Sequence, residues 1–213
     1  MEQAFEDLND WLMTSEMPFG KKQVLKAAIN LFSKQGYDGT STAQIAEASG
    51  MSQATIFKYY KSKEDLLLVI LKPLIEHLLP VYGKEFAKKL SQQDQNLANM
   101  IHFIVQDRYS FLVQNKDAVM ILISQLLINQ QIKDNVLQKI VDVKDIFEQN
   151  VWLPLKKTGE LRDDLDVAGF LRIVVSQIIF YFIQTQRISI ADEKTIQIGL
   201  KQIEVSILRA IEK

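Results

Sequence analysis

The run Ala43-Gln-Ile-Ala-Glu-Ala-Ser-Gly-Met-Ser-Gln-Ala-Thr-Ile-Phe-Lys-Tyr-Tyr60 constrains this chain more than any other stretch. It reads as a short helix, a glycine turn and a second short helix. Ser41 and Thr42 carry oxygens just before an apolar-periodic run, so either can cap the first helix. Ile45, Ala46 and Ser49 recur at helical spacing, and Ala46 is small where two helices cross closely. Gly50 stands where the first helix has to stop in a left-handed conformation. Met51 plugs the angle, and Ser52 caps the second helix. Ile56 and Tyr60 lie four apart and face inward. Ser52, Gln53, Ala54, Thr55, Phe57, Lys58 and Tyr59 are then left on a polar outer face. A helix-turn-helix with such a second helix is built to enter the major groove of DNA. Glutamine can bond adenine bidentately, and alanine or the threonine methyl can touch the thymine methyl. Serine, threonine, tyrosine and lysine suit phosphate oxygens.

The flanks extend the pattern. Lys21 to Tyr37 is an amphipathic helix with Val24, Leu25, Ala28, Ile29 and Phe32 inside and Gly36 as its stop. Ser62-Lys-Glu-Asp-Leu66 opens a further helix, with Ser62 as cap and two acids in the first turn. Lys63 is out of place against the helix dipole there, and a nearby anion such as a DNA phosphate would account for it. That makes Lys63, Tyr59, Ser41, Thr42 and Lys22 the expected phosphate contacts.

Charge is distributed unevenly. Net charge is −1. Residues 1–20 carry five acids and no base, whereas residues 21–72 carry eight lysines against four acids, a net +4. Positive charge thus gathers on the DNA-binding part, and the excess is small enough that useful affinity calls for two copies on one duplex. In the acidic segment, Phe5, Leu8, Trp11 and Leu12 are spaced for a short amphipathic helix.

Beyond residue 66 the chain reads as all-helical. Lys63–Leu79 is a long helix kinked at Pro73 and ended by Pro80. Helical stretches follow near Tyr82–Leu90, Asn96–Gln114, Asp117–Asn129 and Ile132–Lys156, the last disturbed by Pro154. A turn over Thr158–Asp164 precedes two closing helices, Val167–Arg187, capped by Asp164 or Asp166, and Glu193–Ile211. The first of these is apolar around nearly its whole circumference, which predicts burial on more than one side. The last carries Ile196, Leu200, Ile203, Ile207 and Ile211 on one stripe.

Other chemistry finds little support. There is no cysteine, hence no disulfide or thiol chemistry. His77 and His102 offer no metal-ligand spacing, and no glycine-rich phosphate loop appears. No catalytic residues, metal or cofactor are expected. Residues 1–20 lack a signal-peptide pattern, and Arg172, Ser176 and Gln177 interrupt the most apolar segment, so no membrane span is expected. A cytoplasmic location is consistent with this composition.

The quoted motifs closely resemble the DNA-binding domain of the TetR family of bacterial transcriptional regulators: Ala27-Ala28-Ile29-Asn30-Leu31-Phe32, Gly36-Tyr37, Thr40 to Ala46, and Gly50 to Leu66. Three positions depart from the family pattern. Met51 replaces valine, Tyr60 replaces phenylalanine, and Phe57 replaces a tyrosine whose hydroxyl reaches a phosphate. The resemblance implies an all-α chain with an acidic extension at 1–20, a helix-turn-helix domain at 21–66 and a helical effector-binding and dimerisation domain at 67–213. It implies a homodimer through the last two helices, bound to a palindromic DNA operator as a repressor and released by a small, largely apolar effector. Within the middle helices His102, Gln106 and Tyr109 share a face by spacing. With Gln125, Trp152 and Gln177 they form the expected effector-binding set. The rival readings are a DNA-binding architectural or partner-regulated factor without a small-molecule ligand, and a helical interaction adaptor.

Overall fold

The computed structural model describes residues 11–12, 14–93, 96–189 and 191–213, without the side chains of 77–84. It is all-helical, with no strand among the described residues. The acidic residues Glu2, Glu6, Asp7 and Asp10, together with Phe5 and Leu8, lie outside the described residues, and with them the expected amphipathic helix. Leu12 is buried.

The chain separates into two compact units. One comprises Met1–Pro80 and Asn115–Val141, the other Val81–Gln114 and Asp142–Lys213. In the first, α1 (Phe19–Gln35) starts two residues earlier than its periodicity predicts, because Pro18 sits at the N-cap with φ −54° and proline's fixed φ favours a helix start. Val24, Leu25, Ala28, Ile29 and Phe32 are all buried, and Gly36 ends the helix at φ +83°. Helix α2 (Thr42–Ser49) is capped by Ser41, not Thr42. The Ser41 hydroxyl accepts from Gln44 N (3.2 Å), while Ser41 N donates to Gln44 Oε1 (2.8 Å). Two orphan donors are thereby satisfied reciprocally. Gly50 closes the helix in the left-handed region (φ 66°, ψ 19°). Ser52 caps α3 (Gln53–Tyr59) through Thr55 N at 3.1 Å. Ser62 caps α4 (Lys63–Pro73) through Asp65 N at 3.0 Å, and Asp65 accepts from Lys61 N in return.

Pro80 does not end this helix as expected. A wide π turn at Leu74–Leu78 separates Pro73 from α5 (Leu79–Ser91), which runs on through Pro80. The π turn re-phases the backbone bonding just where Pro80 lacks a donor, so the helix bypasses the missing N–H instead of stopping. Helix α7 (Lys116–Leu126) completes the first unit by packing on α1 and α4 with Ala118, Val119, Ile121 and Leu122 buried.

In the second unit α6 (Leu97–Gln114) packs against both α10 (Val167–Ile183) and α11 (Glu193–Ile211). Between the units in sequence runs α8 (Gln130–Phe147), which passes through a π turn at Glu148–Trp152 into α9 (Leu153–Lys157), so Pro154 is again accommodated by a π turn upstream. Asp166 caps α10, whereas Asp164 is engaged by the forked guanidinium of Arg162 at 2.9 and 2.7 Å.

Within one chain α10 is covered along one line. Phe170, Val174, Ile178 and Phe182 form one buried line, while Val175 (43% exposed) and Phe180 (63%) face outward. The segment Val167–Ile188 is, by length and composition alone, apolar enough to cross a membrane, a test that the core helix of a soluble protein also passes. Its buried line nevertheless packs on α6 and α11. On α11, Leu200, Ile203, Ile207 and Ile211 are buried as the stripe predicts, and Ile196 is half-buried.

Close approach of α10 and α11 depends on Gly199. The Tyr181 hydroxyl donates to Ile196 O at 3.1 Å, and a Cβ on Gly199 would lie 2.1 Å from that hydroxyl and 2.4 Å from Cζ. Gly199→Ala therefore displaces the ring and the bonds it makes. It is expected to lower the unfolding free energy by about 1–3 kcal/mol, read as a fall in the urea midpoint at unchanged m-value.

Candidate DNA-reading surface

Helix α3 is only seven residues long, and two side chains fix it. Ile56 and Tyr60 are each 1% exposed. The Tyr60 hydroxyl donates to Lys21 O at 3.3 Å, and the Lys21 ammonium lies 5.6 Å from the ring centre. Burial, reinforced by Asp65 and Tyr59, pushes the Tyr60 phenol well above its usual range. The opposite face is open: Ser52, Gln53, Ala54, Phe57 and Lys58 are exposed, and Thr55 and Tyr59 half-exposed. The Ser52 and Thr55 hydroxyls bond each other at 2.9 Å. Phe57 has half its surface in solvent, so the phenylalanine stands outward without a hydroxyl for a phosphate. Tyr59 lies against α1, whose Gly20 would place a Cβ 3.5 Å from its hydroxyl. Lys58 sits 5.9 Å over the Tyr59 ring. Lys22, on the first turn of α1, and Thr42, the first residue of α2, are half-exposed, and Ser41 is exposed.

Lys63 is placed differently from the phosphate contact its position predicts. Its ammonium donates to Tyr37 O (2.9 Å) and Thr40 O (3.0 Å) and lies 4.1 Å from the Tyr37 ring centre. Two carbonyls and an aromatic face supply the negative partner that an ammonium at a helix start requires. No external anion is needed.

The six residues expected to line an effector site have different surroundings. Gln125 is buried in the first unit, and the other five belong to the second. Trp152 is buried with its ring 5.7 Å from that of Phe170. Gln177 is half-exposed on α10. Tyr109 is buried, its hydroxyl 2.9 Å from Thr185 Oγ1. His102 Nδ1 and Gln106 Nε2 meet at Glu204 Oε1, at 2.8 and 3.0 Å, while Lys201 Nζ donates to Glu204 Oε2 at 3.0 Å. Glu204 was missed in the sequence, although one signal existed: an acid next to Ile203 within the apolar stripe of α11. Gln106 and Tyr109 also line an open cleft of about 630 Å³ with Phe103, Val113, Ile196 and Leu200.

Burial pulls the Glu204 carboxyl upward, but bonds from Gln106, Lys201 and His102 outweigh it and hold the group below its ordinary range. A depressed carboxylate stabilises the fold above its unfolded pKa of about 4.3 and loses that stabilisation as pH falls through the folded value. Glu204→Gln is expected to cost about 1–3 kcal/mol at pH 7 and to make stability fall less between pH 5 and acid. Denaturation across that range reads both effects.

Comparison with known proteins gives likenesses of different reach. The model of bacterial regulatory proteins, tetR family, matches residues 24–70, the segment that contains α1 from Val24 through most of α4. The fatty acid metabolism regulator protein of Bacillus subtilis (strain 168) is 21% identical over 151 residues, 68% of this chain and 72% of that one. Two solved structures share the fold over nearly the whole chain. The fatty acid degradation regulator FadR from Bacillus halodurans has a TM-score of 0.65 at 14% identity, covering 91% of this chain and 97% of that one. FadR from Bacillus subtilis in complex with stearoyl-CoA has a TM-score of 0.57 at 17% identity, covering 88% and 95%.

Proposed function

This chain belongs to the TetR family of bacterial regulatory proteins, and on that premise we propose that it is a ligand-responsive, DNA-binding transcriptional repressor. The observation that carries the reading is α3 itself, a capped helix pinned by Ile56 and Tyr60 with its polar face open. In this reading each subunit lays Ser52–Tyr59 in a major groove. Gln53 and Ala54 meet base edges, while Tyr59, Thr42, Ser41 and Lys22 hold phosphates. Residues 21–66 are the reading domain and 67–213 the effector and dimerisation domain, in a non-enzymatic cytoplasmic protein.

The dimer forms through α10 and α11. Their outward faces carry Val175, Phe180, Ile198 and Val205, each more than a third exposed, which is the surface a twofold interface would cover. A palindromic operator follows from that symmetry. The effector is a small, largely apolar molecule. The relatives named for fatty acid metabolism, and the stearoyl-CoA held by one of them, favour one with an acyl chain. It acts by preferring the state in which the two reading heads are mis-spaced, and its leverage equals its differential affinity for the two states.

Gln53→Ala is expected to weaken operator binding by about 1–3 kcal/mol per altered contact while leaving affinity for random-sequence DNA unchanged. Equal loss on both DNAs would contradict base reading by Gln53. For the interface, Phe180→Glu is expected to give a monomer in sedimentation and to abolish operator binding at concentrations where the unaltered protein is saturated. A dimer that still binds operator would refute the α10–α11 assignment.

A further inference from the structure

The connection between α1 and α2 is unusually well tied down. Gln35 Nε2 donates to Gly39 O (3.1 Å) and to Thr40 Oγ1 (3.2 Å). Thr40 Oγ1 donates to Gly36 O at 2.8 Å, and Thr40 is 1% exposed. Gln44 Oε1 accepts from Ser41 N. Gly39 is obligatory, since a Cβ there would lie 2.7 Å from Gln35 O. From 23 and 26 residues away in sequence, the Lys63 ammonium joins Thr40 O and Tyr37 O.

From this geometry we propose that Lys63 is a positioning residue for DNA reading and not a phosphate contact. An ammonium has three N–H donors. Two are taken by the loop carbonyls, and the charge rests on the Tyr37 ring. Lys63 thereby fixes the loop at the point where it delivers Ser41 and Thr42, the start of α2. It ties this loop to α4, so the position of the α2 terminus against DNA depends on it. This assignment rests on the reading that the α2 terminus holds phosphate.

The two roles differ in salt dependence. A lysine that neutralises a phosphate contributes about 0.9 to the slope of log affinity against log salt. A positioning lysine contributes none of its own. Lys63→Met is expected to lower operator affinity at least tenfold with the slope unchanged. Lys63→Arg, which can still donate to both carbonyls, recovers most of the loss. A double-mutant cycle with Thr42→Val separates positioning from general destabilisation: the Lys63→Met penalty shrinks in the Thr42→Val background only if the lysine acts through the α2 terminus. A slope reduced by about 0.9 per reading head, a normal affinity, or strict additivity each overturns the proposal. Thr42→Val with no effect by itself would overturn it together with the phosphate role of Thr42, a failure distinct from the others. Should Lys63→Met fail to fold, the unaltered protein answers: its Lys63 ammonium resonance is expected to be slow in hydrogen exchange without DNA and unmoved when operator is added. A signal that becomes protected only on DNA overturns the proposal.

Discussion

A helix of seven residues does not persist in water by itself, because two turns of hydrogen bonds cannot repay the cost of nucleation. Helix α3 exists only because Ile56 and Tyr60 are pressed into a core to which Val24, Leu25, Phe32 and Ile45 also contribute buried side chains. Everything else in the reading domain serves that burial. Gly50 turns the chain through a left-handed residue so that α2 and α3 can cross. Ser41, Ser52 and Ser62 cap the three short elements, so no helix start leaves its donors to solvent alone. The consequence for function is direct. A surface that reads base edges must hold its side chains to within a fraction of an ångström, and here rigidity comes from a buried tyrosine and an isoleucine beneath an otherwise exposed helix.

The electrostatics are restrained by comparison. A net +4 over residues 21–72 is a weak footprint for a nucleic-acid-binding domain, and Lys63, one of the eight lysines, has its charge turned inward. Fewer cations remain for phosphate, so specific contacts and symmetry have to carry more of the affinity than bulk attraction does. The open faces of α10 and α11 matter for this reason, because a second reading head multiplies affinity without a new contact on the first.

Local features were legible in the sequence, and tertiary ones were not. Periodicity gave the buried face of α1 residue by residue. Oxygen-bearing residues before apolar runs gave the caps at Ser52 and Ser62 and left Asp164 and Asp166 as alternatives for α10, and Gly36 and Gly50 gave the stops. Each is decided within a few residues of itself. Pro80 was misjudged because a π turn upstream absorbs its missing donor, and π turns have no sequence signature of their own. The apolar circumference of α10 did not say which of its faces the chain itself covers. Lys63 and Glu204 were misread or missed for one shared reason: their partners, Tyr37 and Thr40 in one case, His102 and Gln106 in the other, lie 23 to 102 residues away. For the expected effector residues, helical spacing places side chains on a face without saying what that face meets. His102 and Gln106 do share a face, but what they share it with is a buried carboxylate.

The most direct test of the account is selection of genomic DNA fragments by the purified full-length protein, followed by footprinting at moderate salt. The account predicts a compact, palindromic footprint with two half-sites about one helical turn apart or a multiple of it. Protection that is weak, sequence-blind and lost on modest addition of salt would contradict it. The helix-turn-helix would then be an architectural contact, with no operator for it to read.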